Sequence, residues 1–414
     1  MTFFEYLDGE LHAESVPVRD IAAQFGTPCY IYSRAALTAA YQEFDSGFGG
    51  IPHLICYAVK ANPNIAILNL FARLGSGFDI VSGGELQRVV AAGGDPGKTV
   101  FSGVGKTVDE MKLALNLGIH CFNVESRPEL VRLNHVAGEL GKKAPVSLRI
   151  NPDVDPKTHP YISTGLKENK FGIPYEDAKD LYLEATSLPN IEIKGTDCHI
   201  GSQITELNPF LDAFDKMIEL IDSLTQAGIH LSHFDIGGGI GIRYQEESPP
   251  SIADYGSAIQ SRLQGRDIKV LIEPGRSLTG NGGILITKVE FLKHGHERNF
   301  AIVDAAMNDL MRPSLYDAYH EIAPVSKSNV AGQFYEVVGP VCESGDFLGH
   351  HRHLSLAEGD LLAVFSAGAY GMSMSSNYNT RPRVPEVLVD GNKPYLIRER
   401  EKVDQLFASE HVIP

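Results

Sequence analysis

Lys60 closes an apolar run, Ile55-Cys56-Tyr57-Ala58-Val59-Lys60, and is followed by Ala61-Asn62. An ammonium just past a buried strand is partly desolvated, which favours the neutral amine that attacks a carbonyl to form a Schiff base. A solvated or ion-paired lysine carries the same local signature, so the reading depends on what else the chain places nearby. Two further segments bear on it. Asp235-Ile236-Gly237-Gly238-Gly239 ends a second apolar run, and its glycines let backbone N–H groups approach an anion, although a triplet of this kind also marks a tight turn. Glu273-Pro274-Gly275-Arg276 sets a carboxylate, a turn and a cation in succession at the end of a third. An amine nucleophile, an anion cradle and a buried acid are the chemistry in hand.

These parts matter only if the fold brings them together. Eight β-rich runs recur between residues 50 and 276: IPHLICYAVK, GFDIVS, TVFSGV, HCFNVES, PVSLRINP, IEIKGTDCHIG, HFDIGGG and IKVLIEPGR. Helix-like stretches separate them, with apolar residues at helical spacing such as Leu130, Leu133, Val136 or Ala137, and Leu140. This alternation predicts an α/β fold, a (β/α)8 TIM-type barrel over residues 35–278, because parallel strands need helical crossovers and eight of them close. Barrel enzymes work at the C-terminal ends of their strands and hold phosphates on the loops after strands seven and eight. Gly238, Gly239, Gly275 and Arg276 fall there, and Lys60, on strand one, is their neighbour across the closed ring. A lysine facing a phosphate cradle and an acid describes a site for pyridoxal 5'-phosphate, with Glu273 holding the pyridine nitrogen protonated. The insert DVDPKTHPYISTGLKENKFGIP after the fifth strand reads as a loop on the catalytic rim. Beyond residue 279 the pattern changes to hairpin-like strands, so residues 279–414 with 1–34 form a second, mostly β domain.

Composition narrows the class. Asp and Glu number 52 against 36 Lys and Arg, a net charge of -16, which argues against a nucleic-acid backbone or an anionic membrane as partner. The segment MTFFEYLDGELHAE has no leader pattern and no apolar run is long enough to span a bilayer, so a cytoplasmic enzyme is expected. Five scattered cysteines without CxxC spacing suggest neither a disulfide framework nor a zinc cage. The histidines at 350, 351 and 353, and the pair His294 and His296, match no zinc spacing; they read as an exposed hairpin loop, and no metal is expected.

The segments YAVKAN, HIGSQ, DIGGG, EPGR, VCESGD and AGAYG occur in the order seen in the fold-type III, alanine-racemase-like pyridoxal-phosphate decarboxylases, which the chain resembles over nearly its whole length. THPYISTGLKENKFGI, RPSLYDAYH and MSSNYNTRPRVPEVLV are similar to the branch whose substrate is meso-2,6-diaminopimelate and whose products, L-lysine and CO2, end bacterial lysine biosynthesis. The resemblance implies roles residue by residue. Lys60 is the Schiff-base lysine, and His199 in HIGSQ lies flat against the cofactor ring, where a lone histidine would otherwise read as a satisfied core residue. Ser202, Gly238, Gly239, Gly275, Arg276 and Tyr370 match phosphate contacts or their neighbours. Arg149 reaches the ring hydroxyl or, equally, forms an interior ion pair.

A second carboxylate on the substrate needs a cation or a fork of donors, whereas ornithine or arginine needs an acid there. Arg276, Arg312, Tyr316 and Tyr370 match the family's substrate-binding residues, with Glu343 for the distal ammonium; Tyr316 reads as well as a surface residue. Cys342 is implied to donate or position a proton, its alternative being a buried inert cysteine. Cys342 and Glu343 are implied to come from the partner subunit of a two-fold homodimer with shared active sites. Two rival readings stand beside this one. Another fold-type III decarboxylase, for ornithine, arginine or carboxynorspermidine, is opposed for the first two by Arg312 and Tyr316. A cofactor-free regulatory homologue is opposed by intact Lys60, Glu273 and Cys342.

Overall fold

The computed structural model describes residues 3–155, 170–263 and 265–414. It divides into two compact units: residues 40–242 with 248–277, and residues up to 39 with 243–247 and 278–414.

The first unit is a closed parallel barrel of eight strands, β1 (His53–Ala58), β2 (Gly77–Ile80), β3 (Thr99–Phe101), β4 (Cys121–Val124), β5 (Ala144–Asn151), β6 (Ile191–Asp197), β7 (His233–Asp235) and β8 (Lys269–Ile272). Closure is explicit, since Val270, Leu271 and Ile272 of β8 pair in parallel with His53, Leu54 and Ile55 of β1. Helices α1 (Ile65–Arg73), α2 (Gly83–Ala91), α3 (Val108–Leu117), α4 (Arg127–Glu139), α5 (Tyr175–Ser187), α6 (Asn208–Gln226) and α7 (Ile252–Arg262) supply the crossovers, and the one-turn α8 (Arg276–Thr279) follows β8. The expected α/β barrel is therefore what the chain forms.

Local chemistry sets the helix ends. Thr107 and Glu110 satisfy each other's backbone donors in a capping box that starts α3, and Gly118 ends it in the left-handed conformation at φ 69°. Along α6, Phe210, Ala213, Phe214, Met217, Leu220, Ile221 and Leu224 recur at helical spacing, and all are buried. Each large side chain of that stripe contributes about 2 kcal/mol of transfer free energy, so a charge at Phe214 would detach the helix. Inside the barrel, Leu54, Cys56, Val100, Cys121 and Leu271 form an apolar layer drawn from β1, β3, β4 and β8.

After β5, residues 156–169 lie outside the described residues, and with them most of the insert read as a rim loop; Ile173–Pro174 then adds a short parallel pairing to β5. Among the described residues no helix is long and apolar enough to cross a membrane.

The second unit is mostly β. Its long strand Gly283–His294 pairs antiparallel with Cys29–Ser33, Leu361–Val364 and Asn299–Val303, and Cys29–Ser33 pairs parallel with Glu386–Asp390. Ile31, Ile284, Ile286, Ala363, Val387 and Val389 fill the core between them. Two expectations fail here. Asn299–Val303 and Gln333–Val338 are parallel, so not every successive pair is a hairpin. The histidines at 350, 351 and 353 lie within the strand Phe347–Leu354 rather than in a hairpin loop. His351 stacks on Phe334 and His350 bonds Glu336, both from the paired strand Gln333–Val338, so the polar run is the solvent face of a sheet.

Candidate active site

The C-terminal end of the barrel is built from strand ends. The register sets Ala58 of β1 opposite Asp79 of β2, and the 3-10 turn Val59–Ala61 brings the Lys60 ammonium back onto the Asp79 carboxylate. Asp79 is fully buried whereas 38 % of the Lys60 side chain remains exposed, so the amine is anchored yet reachable.

Glu273 is the first residue past β8. The Asn123 side-chain amide donates to its carboxylate at 3.3 Å and to the Ser102 hydroxyl at 3.1 Å. Carboxylate oxygens of Asp197, Asp235 and Glu273 lie within 4.8 Å of one another, all buried. Burial, then the negative charges of Asp235, Asp79 and Asp197, push Glu273 well above the ordinary carboxylate value. Asp235 is pushed up to about 6, chiefly by burial, although its Oδ1 accepts the Gly237 N–H at 2.9 Å. Three carboxylates so close cannot all carry full charge near neutrality, and they titrate as one unit that retains protons.

On the opposite wall Arg149 donates to Glu125 at 3.2 Å and lies 3.8 Å from Asp197. The interior ion pair read for Arg149 is therefore present. His199 accepts the Gly238 N–H on Nδ1 at 3.2 Å, which leaves its proton on Nε2. Burial, with the positive charges of Arg149 and Lys60, holds this imidazole well below its usual value and therefore neutral.

The glycines are demanded by close approach. A Cβ on Gly238 would sit 2.1 Å from the Glu273 carbonyl oxygen, and one on Gly239, at φ 110°, 2.3 Å from the Gly201 carbonyl. The result is a cradle walled by backbone, beside which Arg276 donates to the Ser202 hydroxyl at 3.1 Å. Amine, backbone cradle, cation with hydroxyl and buried acid fit the aldehyde, the phosphate and the pyridine nitrogen of pyridoxal phosphate.

The second unit places the remaining candidates. Arg312 and Tyr316 bound one short helix, Arg312–Tyr316. The buried Arg312 guanidinium donates to His320 Nε2 at 2.7 Å and lies 4.5 Å from the centre of the Tyr244 ring, while His320 Nδ1 donates to the Phe365 carbonyl at 2.8 Å. Cys342 is exposed whereas the other four cysteines are buried, which removes the buried-cysteine reading for it. Its N–H donates to Asn379 Oδ1 at 3.1 Å, and the Glu343 carboxylate accepts the Tyr378 hydroxyl. Tyr370 holds a left-handed backbone at φ 56°.

Residues 34–280 match the family model described as the pyridoxal-binding domain of pyridoxal-dependent decarboxylases. A diaminopimelate decarboxylase from Vibrio cholerae is 62% identical over 416 residues, covering 100% of both chains. The chain belongs to the diaminopimelate decarboxylase family. Solved structures agree: diaminopimelate decarboxylase from Helicobacter pylori, complexed with L-lysine, superposes with a TM-score of 0.92 at 44% identity, covering 95% of this chain and 99% of that one. Diaminopimelate decarboxylase from M. jannaschii, also with L-lysine, gives 0.95 at 38%, covering 100% and 99%. Membership makes the protein a carboxy-lyase with pyridoxal phosphate as cofactor.

Within this diaminopimelate decarboxylase barrel, Lys60, His199, Ser202, Gly238, Gly239, Glu273, Gly275 and Arg276 all lie on the strand ends or the turns just after them. Arg312, Tyr316, Cys342, Glu343 and Tyr370 belong to the β unit. Sequence reasoning missed Asp79, Ser102, Asn123 and Tyr378. Asp79 had a signal, a lone acid in the apolar run GFDIVS; the other three are polar residues with no local pattern.

Proposed function

We propose that this protein removes one carboxylate of meso-2,6-diaminopimelate to give L-lysine and CO2. The observation that carries the substrate is full-length identity of 62% to a diaminopimelate decarboxylase, with the barrel end supplying the chemistry. When bound, pyridoxal phosphate supplies an electron sink for the electron pair left by departing CO2. Lys60 offers the amine that attaches it, and Asp79 keeps that amine at the mouth. Glu273 would hold the ring nitrogen, with the surrounding carboxylates furnishing the shared proton. Gly238, Gly239, Ser202, Gly275 and Arg276 would hold the phosphate. His199, neutral and fixed by Gly238, presents a flat face without competing for that proton.

We place Arg312, Tyr316 and Tyr370 at the far end of the substrate, where a second carboxylate needs donors, and Glu343 at the distal ammonium. Cys342, exposed and held by Asn379, delivers or positions the proton at the carbon that loses CO2. The chain works as a homodimer in the cytoplasm, with Cys342 and Glu343 completing the site of the partner. Sharing is supported by the exposure of Cys342 and Tyr378, and a reducing location by five unpaired cysteines.

The test is an assay of purified protein with meso-diaminopimelate, with and without added cofactor, following CO2 and lysine, against ornithine and arginine as competitors. Cofactor-dependent release of equal lysine and CO2 supports the reading. Faster turnover of ornithine or arginine overturns the substrate assignment.

A further inference from the structure

We propose that the barrel carries a second site, for a zinc ion, at the end opposite Lys60, with His120, Cys121 and His233 as its ligands. The three residues converge from the N-terminal ends of β4 and β7, and their ligand atoms all lie within 4.8 Å of one another. His233 Nε2 is 3.8 Å from Cys121 Sγ, close to the roughly 3.5 Å that zinc–sulfur and zinc–nitrogen bonds of about 2.3 and 2.0 Å impose in a tetrahedron.

Three further observations point the same way. The His120 ring bonds the Gly97 backbone, and its Nε2 is buried without a hydrogen-bond partner among the described residues. An imidazole oriented by a carbonyl through one nitrogen, with the other left bare, is the arrangement that metal-ligating histidines use. Second, β6 clears space for the His233 ring: a bulge falls between Ile193 and Gly195, and a Cβ on Gly195 would sit 2.2 Å from His233 Nε2. Third, His120 lines a cavity of about 440 Å³ with Lys143, Ser232 and the ion pair of Lys194 with Glu192, which gives an ion a route in and leaves a fourth position for water.

Two nitrogens and one thiolate, formed when the Cys121 S–H that faces Asn123 Oδ1 at 3.7 Å gives its proton to solvent as the ion binds, are a borderline-soft set that selects zinc over magnesium or calcium. On its inner side Cys121 belongs to the apolar layer with Leu54, Cys56, Val100 and Leu271, so the ion seals the floor of the barrel. Its role is structural and separate from decarboxylation.

The experiment is calorimetric titration of chelator-treated, cofactor-loaded enzyme with zinc sulfate, followed by zinc-edge X-ray absorption. The proposal expects one ion per chain, a shell of one sulfur near 2.3 Å with two nitrogens near 2.0 Å, and a melting temperature that rises with zinc concentration. Cys121→Ala and His120→Ala should each weaken binding at least tenfold with decarboxylation unchanged; should Cys121→Ala fail to fold, His120→Ala, at the cavity edge, serves as the deciding variant. A His351→Ala/His353→Ala variant should bind as the parent does. Absent binding, a sulfur-free shell, or binding that survives His120→Ala would overturn the assignment, as would loss in the His351→Ala/His353→Ala variant.

Discussion

Lys60 and Asp79 form an ion pair between neighbouring barrel strands in which the carboxylate is fully buried and the amine is not. The asymmetry fixes the reactive group from below and leaves its upper side open to chemistry. Lys60→Ala should abolish covalent attachment of the cofactor, remove its visible absorbance and leave decarboxylation near background. Borohydride treatment followed by mass spectrometry checks it: a cofactor still fixed to the variant protein places the attachment elsewhere. The same change strands the Asp79 charge, so the melting temperature should also fall, by the equivalent of about 1–3 kcal/mol once the exposure of the amine is allowed for.

Glu273 sits among buried acids, so a neutral replacement relieves like-charge crowding. Glu273→Gln should bind cofactor yet lose about a thousandfold in rate, close to 4 kcal/mol of transition-state stabilisation. Turnover within a few-fold of the parent would make Glu273 a structural residue.

Gly238→Ala forces a methyl group to within 2.1 Å of the Glu273 carbonyl, so the cradle and the β8 turn must separate. Cofactor affinity should drop at least tenfold in fluorescence titrations, about 1.4 kcal/mol or more. An unchanged dissociation constant would mean that this loop does not hold the phosphate.

The barrel was legible in the sequence because each strand was an apolar run bounded by a turn and followed by a helical pattern. Lys60, Gly237–Gly239 and Glu273 were legible for the same reason, since each terminates such a run. What escaped notice depends on register and on contacts between distant segments. Asp79 becomes the partner of Lys60 only once Ala58 is aligned with it. His120 and His233 are 5.2 Å apart between ring centres, yet no spacing rule joins residues more than a hundred positions apart. The histidines of Phe347–Leu354 fall at 350, 351 and 353 and break the apolar alternation of a strand, so the segment looked like a loop; Phe334 of the neighbouring strand stacks on His351.

Burial pushes the Asp309 carboxyl up to about 6, from an ordinary 3.8. The folded state therefore holds a proton that the unfolded state gives up, a contribution fully present below pH 3.8 and lost as the pH rises through 6. Asp309→Asn removes this titration. The stability of the variant relative to the parent should improve by about 2–3 kcal/mol between pH 4 and pH 7 in urea melts. A difference that does not vary with pH would show that Asp309 titrates alike in both states.

If the active sites are shared, Lys60→Ala and Cys342→Ala homodimers should each be nearly inactive. A heterodimer of the two holds one doubly damaged site and one intact site. With random exchange of equal amounts, about a quarter of parental activity should return on mixing. Verified exchange without recovery would assign both residues to one chain's site.

Because β8 pairs with β1, the barrel has a seam where early and late parts of the chain meet. Lys60 lies on one side of it and Gly275 and Arg276 on the other; a Cβ on Gly275 would press Ala58 and Ala61 at 3.0 Å, so the two lips are already in close contact. A ligand tied to both lips is a clasp, since unzipping there pulls its anchor points apart. At a hundredfold excess over its dissociation constant such a ligand adds about 2.7 kcal/mol against unfolding. A cell starved of the vitamin would then hold an enzyme that is idle and also easier to unzip, so proteases would clear the empty form first.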